Sequence, residues 1–444
     1  MNPLDQYLDL YRQNAAQVDA HSTGALNSKR QAALEELDAA AGVKADKRLM
    51  MFAPDYGVNL MRVDIPADVA AAFHCGVPNL STLLGVVVND AFHASSRLAE
   101  RLPEGVTFCS LREAAEKYPE IVNAHYGSLA PLTDRAVALN TLLAQDGVFI
   151  HIGRGVHMEK PLQLVNIFSS PVPLAGMRRV LIVAEADSEA SLLVCDHSRP
   201  DSAGCLSSEV VEIVLDRGAK FDYYNIEESS AVTSRCSSLY ARQGEGSNLL
   251  VNGMTLIAGN TSNSYHIDVD HSHCETVLTG MVIAGGEEQV ENRTRVNHLA
   301  SHCHSSQLFK YVLDDRSKGV FDGTIMVAPK ADFTEAYQSN KNLLASTDAR
   351  MHTEPQLEIY CDEVKCSHGA TTGQLDASAL FYMRSRGIPE AEARTMLMQA
   401  FMADVLDTVR ISSLRDRLRL LVEKRFVGQE LFCGDCAATR NCES

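Results

Sequence analysis

The stretches that decide the fold are RRVLIVAEADSEASLLVCD, residues 178–196, and EVVEIVLDRGAKFDYYNI, residues 209–226. Each joins two runs rich in β-branched and other apolar residues through a short turn that contains Asp or Gly. The same unit recurs in VFIHIGRGVHMEKPLQLVNIF (148–168) and SSLYARQGEGSNLLVNGMTLIAG (237–259). The turns fall at intervals of about thirty residues, a spacing typical of repeat architectures. Because no helical segment separates the units, the pattern predicts either a stacked β-solenoid or a β-sandwich of hairpins.

The chain divides into three regions by its local pattern. Apolar residues recur at helical spacing in residues 1–139 and 377–444, whereas strand-like runs dominate residues 140–376. We therefore predict an N-terminal, mostly helical domain, a β-rich core domain and a C-terminal helical domain.

Several helix ends are expected from side-chain chemistry. Asn27 or Ser28 could cap one N-terminal helix, and Ser110 followed by Glu113 forms a capping-box pattern. A C-terminal helix should begin near Pro389, which suits the first helical turn. The apolar stripe expected on that helix consists of Met396, Leu397, Ala400, Phe401, Val405 and Leu406.

Composition and charge exclude some classes of function. The 444 residues include 57 Asp and Glu against 40 Lys and Arg, a formal net charge of −17. Binding of nucleic acid needs a basic face that neutralises phosphates, so nucleic acid is not expected as a partner. No apolar run approaches the roughly 20 residues needed to span a bilayer, and MNPLDQYLDLYRQ at the N-terminus is unlike a signal peptide. We therefore expect a soluble, cytoplasmic protein without a membrane partner.

The segment KCSHGATTGQLD, residues 365–376, contains the pair that we single out as a candidate site. Cys366 and His368 are two residues apart, near the end of the strand-rich region. Residues i and i+2 of a strand point to the same face, so a thiol and an imidazole can project side by side. Such a pair suits an iron or zinc ion. Spacing alone also fits a buried cysteine beside a turn histidine, because free cysteines are often core residues.

A second concentration of candidate ligands lies upstream, in two H-x-H motifs. We expect each pair of histidines on one strand face, with a neighbouring cysteine on the other face. The residues concerned are His271, His273, His302 and His304, with Cys274 and Cys303. The alternative function is therefore a metal-dependent, cupin-like β-fold enzyme, although Glu275 follows His273 too closely for the usual cupin interval. Ladders of polar side chains on the outside of a solenoid would produce the same pattern.

The C-terminal tail adds three thiols. A structural zinc site usually needs four nitrogen or sulfur ligands, and chain ends are commonly disordered. We therefore do not rest the function on the tail cysteines, which are Cys433, Cys436 and Cys442.

Four stretches resemble the SufB/SufD family, whose members are scaffold subunits of the SUF system for iron–sulfur cluster assembly. They are KYVLDDRSKGVFDGTI (310–325), QSNKNLLAS (338–346), KCSHGATTGQLD (365–376) and LFYMRSRGI (380–388). The C-x-H-G-A motif resembles the SufD branch of the family, which has a histidine at the terminal site where SufB has a cysteine. The resemblance implies a right-handed parallel β-helix, which decides the question that periodicity leaves open.

The resemblance also implies a function. It is that of a non-enzymatic scaffold that pairs with a SufB-like paralogue and docks a SufC-like ATPase on residues 388–426. The chain's own glycine-rich turn GEGSN lacks the GK[ST] of a phosphate-binding loop. His368, helped by Cys366, is then expected to hold iron or a transient iron–sulfur cluster shared with SufB. The sequence leaves open whether a flavin binds and whether the isolated chain forms a homodimer.

Overall fold

The computed structural model describes residues 4–40, 42–53, 56–58, 60, 81–94, 98–199 and 202–428. The helices are α1 Asp5–Ala20, α2 Gly24–Asn27, α3 Arg30–Ala39, α4 Lys47–Met50, α5 Leu98–Arg101, α6 Leu111–Lys117, α7 Pro119–His125, α8 Arg135–Leu143, α9 Ala377–Ser385, α10 Glu390–Leu406 and α11 Ser412–Phe426. None of the helices in these residues has both the length and the apolar character needed to cross a membrane. The tail cysteines lie outside the described residues; they are Cys433, Cys436 and Cys442.

The strands follow one another with few interruptions. They are β1 Gly57–Val58, β2 Leu83–Val88, β3 Ala91–Ala94, β4 Val106–Ser110, β5 Val148–Ile152, β6 Leu162–Phe168, β7 Leu174–Ala184, β8 Glu189–Ser198, β9 Cys205–Leu215, β10 Lys220–Glu228, β11 Thr233–Gln243, β12 Asn248–Ile257, β13 Asn260–Val269, β14 Glu275–Ala284, β15 Gln289–His298, β16 His304–Leu313, β17 Lys318–Val327, β18 Thr334–Leu344, β19 Arg350–Ile359 and β20 Val364–Gln374.

From β5 onward the strands form a two-sided parallel solenoid. Odd-numbered strands line up in one sheet and even-numbered strands in the other, and among the described residues each sheet has ten strands in all. Neighbours within a sheet keep register: Asn260 pairs with Gln289, which pairs with Lys318. Each rung therefore consists of one odd and one even strand and takes about 30 residues. The predicted parallel β-helix core is confirmed, and the β-sandwich of hairpins is excluded.

The predicted turns between the strands of a rung are confirmed. Gly155, Asp187, Gly218 and Gly246 have φ values of 68°, 60°, 69° and 65°. Glycine adopts this left-handed conformation without a Cβ penalty, and Asp is among the residues that tolerate it. The N–H of Gly218 donates to the carbonyl of Glu245 in the next turn at 2.8 Å, so the turns stack as the strands do.

The solenoid interior holds a group of ionisable side chains, which we call the interior charge cluster: Arg178, Asp196, Glu209, Glu227 and Arg235. Arg235 lies 3.2 Å from Asp196, 3.1 Å from Glu209 and 3.9 Å from Glu227. Arg178 lies 3.1 Å from Asp196. The cluster therefore sets two guanidinium groups against three carboxyl groups in a place where an unpaired charge would be costly.

The N-terminal helices cover the outer face of the odd-numbered sheet. Apolar side chains of α1, α3 and α8 pack against Met177 and Leu206 of that face. Arg48 of α4 forms an ion pair with Asp134 at 2.6 Å and donates to the hydroxyl of Ser238 on β11. These contacts fix the N-terminal region to the solenoid by both apolar burial and a buried polar anchor.

The N-terminal region also adds strands to the first end of the solenoid. Strand β2 pairs in parallel with β6, and β4 pairs antiparallel with β5. The predicted cap at Ser110 is confirmed, since its hydroxyl accepts from the Glu113 N–H at 3.1 Å. The predicted cap at Asn27 or Ser28 is wrong: Asn27 ends α2, Ser28 is itself helical in φ and ψ, and Lys29 occupies the N-cap position.

The last two helices, α10 and α11, pack on the outer face of the even-numbered sheet. Met402, Val405 and Leu418 are buried there against residues that include Met281. Of the apolar stripe expected on α10, Val405 and Leu406 are buried against the sheet, whereas Met396 is 43% exposed. The face that a helix buries depends on the sheet it meets, and this information is absent from the periodicity of the helix alone.

Candidate functional site

The candidate site lies on the last rung of the solenoid. That rung consists of β19 and β20, which pair with β17 and β18 respectively. Among the strands of the described residues, none lies against the other edge of β19 or β20. Both strands therefore present backbone N–H and C=O groups along one edge, an arrangement that a strand of another chain can join.

Cys366 and His368 lie on the side of β20 that faces the solenoid interior. Cys366 pairs with Ala336 of β18 and His368 pairs with Gln338, and both partners are buried. Side chains at paired positions of neighbouring strands point the same way, so Cys366 and His368 share the inward face. Cys366 is half-buried, whereas His368 is exposed because no further rung covers it. The i, i+2 spacing of Cys366 and His368 agrees with this shared face, and their role as ligands remains a prediction.

Cys366 has apolar neighbours. It packs beside Val327, Ala331 and Ala336 at the end of the core. Burial raises the pKa of the Cys366 thiol, so the thiol is protonated at neutral pH. The thiolate is the form that binds metal, and a metal would have to displace this proton. His368 is therefore the more accessible donor of the two.

A second thiol borders the same apolar cluster and was not singled out from the sequence. Cys361 follows β19, and its S–H donates to a carboxylate oxygen of Asp332 at 2.7 Å. The C-x₄-C spacing with Cys366 is the signal that could have indicated it. Within the described ranges, no group of three or more His, Cys, Asp or Glu side chains is arranged to hold a metal ion. The described residues of this end thus offer an incomplete set of ligands.

The surroundings of His368 are open on one side and polar on the other. A Cβ added at Gly369 or Gly373 would meet no heavy atom within 4 Å. From the facing strand, Thr353 turns inward and donates to the side-chain oxygen of Asn340 at 2.8 Å. Packing within the chain therefore does not require glycine at these two positions of β20, and a side chain there would project into free space.

The four upstream histidines do not lie in pairs on strand faces. His271, His273 and His302 lie in turns, and His304 is the first residue of β16. The rings of His273 and His302 stack at 5.3 Å, and His302 stacks on Phe333 at 4.7 Å. The expectation of two strand-borne H-x-H pairs is wrong because the turns between strands take up these residues. His273, His302 and Phe333 form a ladder of exposed rings, and within the described residues this ladder gives no support to the metal site of a cupin-like enzyme.

The C-terminal helices expose large apolar side chains. Helix α9 has no buried residue, and its Phe381 and Tyr382 are 73% and 58% exposed. Met396 of α10 and Leu420 of α11 are also exposed, on the side away from the sheet. Exposed apolar groups of this kind are commonly found where a partner binds.

Comparisons with known proteins agree with this architecture. Residues 169–401 match the family described as SUF system FeS cluster assembly, SufBD core domain, and residues 1–164 match the SufBD protein N-terminal region. An iron–sulfur cluster assembly protein of the SufBD family from Synechocystis is 28% identical over 371 residues, which cover 82% of each chain. The iron–sulfur cluster assembly protein SufD of Bacillus subtilis is 27% identical over 349 residues, 76% of this chain and 78% of the relative. SufD of Escherichia coli is 40% identical over 141 residues, 32% of this chain and 33% of the relative. The chain therefore belongs to the SufBD family of SUF-system iron–sulfur cluster assembly proteins.

Proposed function

We propose that the chain is a non-enzymatic scaffold subunit of the SufD type, on which a cluster assembles at an interface with a SufB-like paralogue. The observation that carries this proposal is the open last rung, where His368 faces inward and is still exposed. One rung earlier, the equivalent residue Gln338 is only 3% exposed, because β20 covers it. A partner that adds its own strand to the free edge of β20 would cover His368 in the same way.

His368 suits the role of a ligand that holds iron and releases it. A neutral imidazole is a borderline ligand, and it competes less strongly for iron than a thiolate does. Cys366 is a second donor, less available because its thiol is half-buried and protonated. The iron or nascent cluster is cargo, and the SufB-like partner supplies the remaining ligands. The isolated chain should therefore bind little iron.

The free edges of the last rung support the pairing with SufB. Strand addition satisfies the backbone groups along an edge and places alternate side chains of the two chains face to face. Gly369 and Gly373 leave open space on β20, so a partner backbone can approach closely there. The same edges allow two copies of the isolated chain to pair as a homodimer.

The C-terminal helices are the proposed docking surface for a SufC-like ATPase, which would supply the nucleotide hydrolysis that this chain lacks motifs for. Their inner side is occupied by the even-numbered sheet, so docking must use the outer side. Met396 and Leu420 are the large apolar groups exposed on α10 and α11. An apolar surface rimmed by charged residues is a usual anatomy for a protein interface.

The ligand proposal is tested with His368→Ala in a complex co-expressed with SufB-like and SufC-like partners. The expected result is normal assembly and thermal stability, with iron and sulfide in the purified complex reduced several-fold. His352→Ala is the matched control, because His352 is an exposed histidine on the neighbouring strand β19. A His368→Ala complex that assembles and carries a full complement of iron and sulfide would refute the role.

The docking proposal is tested with Met396→Asp and Leu420→Asp in the full chain. Each should weaken co-purification with the ATPase while leaving circular dichroism and the pairing with the SufB-like subunit unchanged. Val172→Asp is the control, since Val172 is 59% exposed between β6 and β7, away from these helices. Deleting the chain from Pro389 is a poorer test, because it would expose the buried contact of α10 and α11 with the sheet. If both variants co-purify with the ATPase as well as the wild type does, the proposed docking surface is refuted, whereas the proposed role of His368 is unaffected.

A further inference from the structure

Two buried cysteines lie on neighbouring rungs at the same corner of the solenoid. Cys274 directly precedes β14 and Cys303 directly precedes β16, and they are 1% and 2% exposed. The ladder continues up to them: Glu275 pairs with His304, and the His304 N–H donates to the Cys274 carbonyl at 2.9 Å. The two cysteines thus occupy stacked positions in a parallel arrangement.

Their side chains point to the same place. Both sulfurs lie within hydrogen-bond distance of the carbonyl oxygen of His271, Cys274 at 3.0 Å and Cys303 at 3.2 Å. One acceptor shared at these distances brings the two sulfurs close together. On the preceding rung, the hydroxyl of Ser247 lies 3.8 Å from the Cys274 sulfur.

The backbone spacing fits a covalent bond between the two sulfurs. Neighbouring strands of a sheet lie about 4.8 Å apart, and disulfides join Cα atoms separated by about 4.4–6.8 Å. The Cβ atoms of a disulfide are about 3.8 Å apart, so the two stacked turns need to close by roughly an ångström. Turns at a solenoid corner can adjust by this amount more easily than the middle of a strand.

We propose that Cys274 and Cys303 are a modification site, a dithiol that a small hydroperoxide converts to a disulfide linking two consecutive rungs. The proposal is independent of the assembly function described above. At the surface, the disulfide would affect only these two turns, which also carry the exposed and stacked rings of His273 and His302.

The reaction balances with hydrogen peroxide as the oxidant. One thiol loses its proton, and its sulfur attacks a peroxide oxygen, so the O–O bond breaks and a sulfenic acid and water form. The sulfur of the second cysteine then attacks the sulfenic sulfur, the S–S bond forms, and a second water leaves. The two sulfurs together lose two electrons, the peroxide gains them, and the two thiol protons end in the water molecules. A dithiol reductant reverses the step by thiol–disulfide exchange.

The test is to treat the purified full-length chain with hydrogen peroxide, block free thiols in denaturant, and digest without reduction. Mass spectrometry should show a cross-linked Cys274–Cys303 peptide at least tenfold above the untreated sample, and dithiothreitol should abolish it. Cys205 is the internal control: it is fully buried, and its thiol donates to the Ala203 carbonyl at 3.1 Å. Cys205 should remain alkylatable after the same treatment.

A second variant keeps the proposal open to refutation if peroxide damages the fold. Cys303→Ser keeps a hydroxyl donor for the His271 carbonyl, so it should melt near the wild-type temperature and form no cross-link. Circular dichroism of the treated wild type checks that the solenoid is intact. Recovery of both cysteines as free thiols or as separate sulfinic acids, from protein that is still folded, would overturn the proposal.

Discussion

Replacing Arg235 by glutamine should destabilise the solenoid strongly, because Arg235 is the centre of the interior charge cluster. Its guanidinium group contacts three carboxylates and also donates to the side-chain oxygen of Asn263 at 2.9 Å. Removing one partner from a buried ion pair costs about 3–5 kcal/mol. For a chain of 444 residues, the melting temperature should fall by roughly 3–5 °C.

The loss should also depend on pH in a defined direction. Burial raises the pKa values of Glu209 and Glu227. Burial alone would raise the pKa of Asp196 too, but Arg235 and Arg178 hold it below its usual value. A buried carboxyl group whose pKa is higher in the folded than in the unfolded state destabilises the fold least when it is protonated, at a pH below its unfolded-state pKa. The free energy of unfolding then falls as the pH rises through the folded-state pKa. Without Arg235 these pKa values rise further, so the deficit of the variant should be smaller in mildly acidic than in alkaline buffer.

Thermal unfolding followed by circular dichroism, in one mildly acidic and one alkaline buffer, measures both effects, since burial raises the pKa values of Glu209 and Glu227. Arg217→Gln is the matched control, because Arg217 pairs with Asp187 at 2.8 Å on the exposed surface of a turn. Its effect should stay within about 0.5 kcal/mol. The argument fails if Arg235→Gln melts within a degree of the wild type, or if its deficit grows on acidification.

Two further substitutions test the packing. Gly280→Ala places a Cβ 2.2 Å from the ring of Phe309 and should lower stability by about 1–3 kcal/mol in thermal unfolding, whereas Gly373→Ala, with open space around it, should be neutral. Lys310→Met removes a buried ammonium that donates to the Asp404 carboxylate and to the Phe401 carbonyl of α10, at 2.6 Å each. Hydrogen exchange in α10 and α11 should therefore become faster, while the strands stay protected. An unchanged exchange rate in those helices would show that the Lys310 ammonium does not hold them to the sheet.

The turns and strands could be predicted from the sequence because their causes are local. Asp187 and Gly218 interrupt β-branched runs, and left-handed turns need such residues wherever they occur. The interior charge cluster could not be predicted in this way. Asp196 and Arg235 come together only through the register of stacked rungs, which local patterns do not encode.

For the histidine motifs, the local pattern gave a wrong prediction. An H-x-H pattern alternates like a strand, but His273 and His302 adopt positive φ in turns, so the alternation was misleading. For Cys366 and His368 the spacing predicted a shared face, and the register of β20 on β18 agrees with it. That β20 is the last strand of its sheet agrees with the change at residue 376, where the strand-like pattern gives way to apolar residues at helical spacing.

The two ends of the solenoid differ, and this difference explains why one end is suited to a partner. At the first end, the antiparallel strands β3 and β4 interrupt the parallel register, and the N-terminal helices lie beside them. At the last end, β19 and β20 keep the parallel register up to their free edges. Unprotected edges invite unspecific pairing, and natural proteins limit it with proline and charged residues. Pro355 in β19 and Lys365 in β20 are residues of this kind, whereas Gly369 and Gly373 leave part of β20 accessible. An edge that is restricted at some positions and open around His368 is suited to a partner with a matching strand, as the proposed site shared with a SufB-like subunit would require.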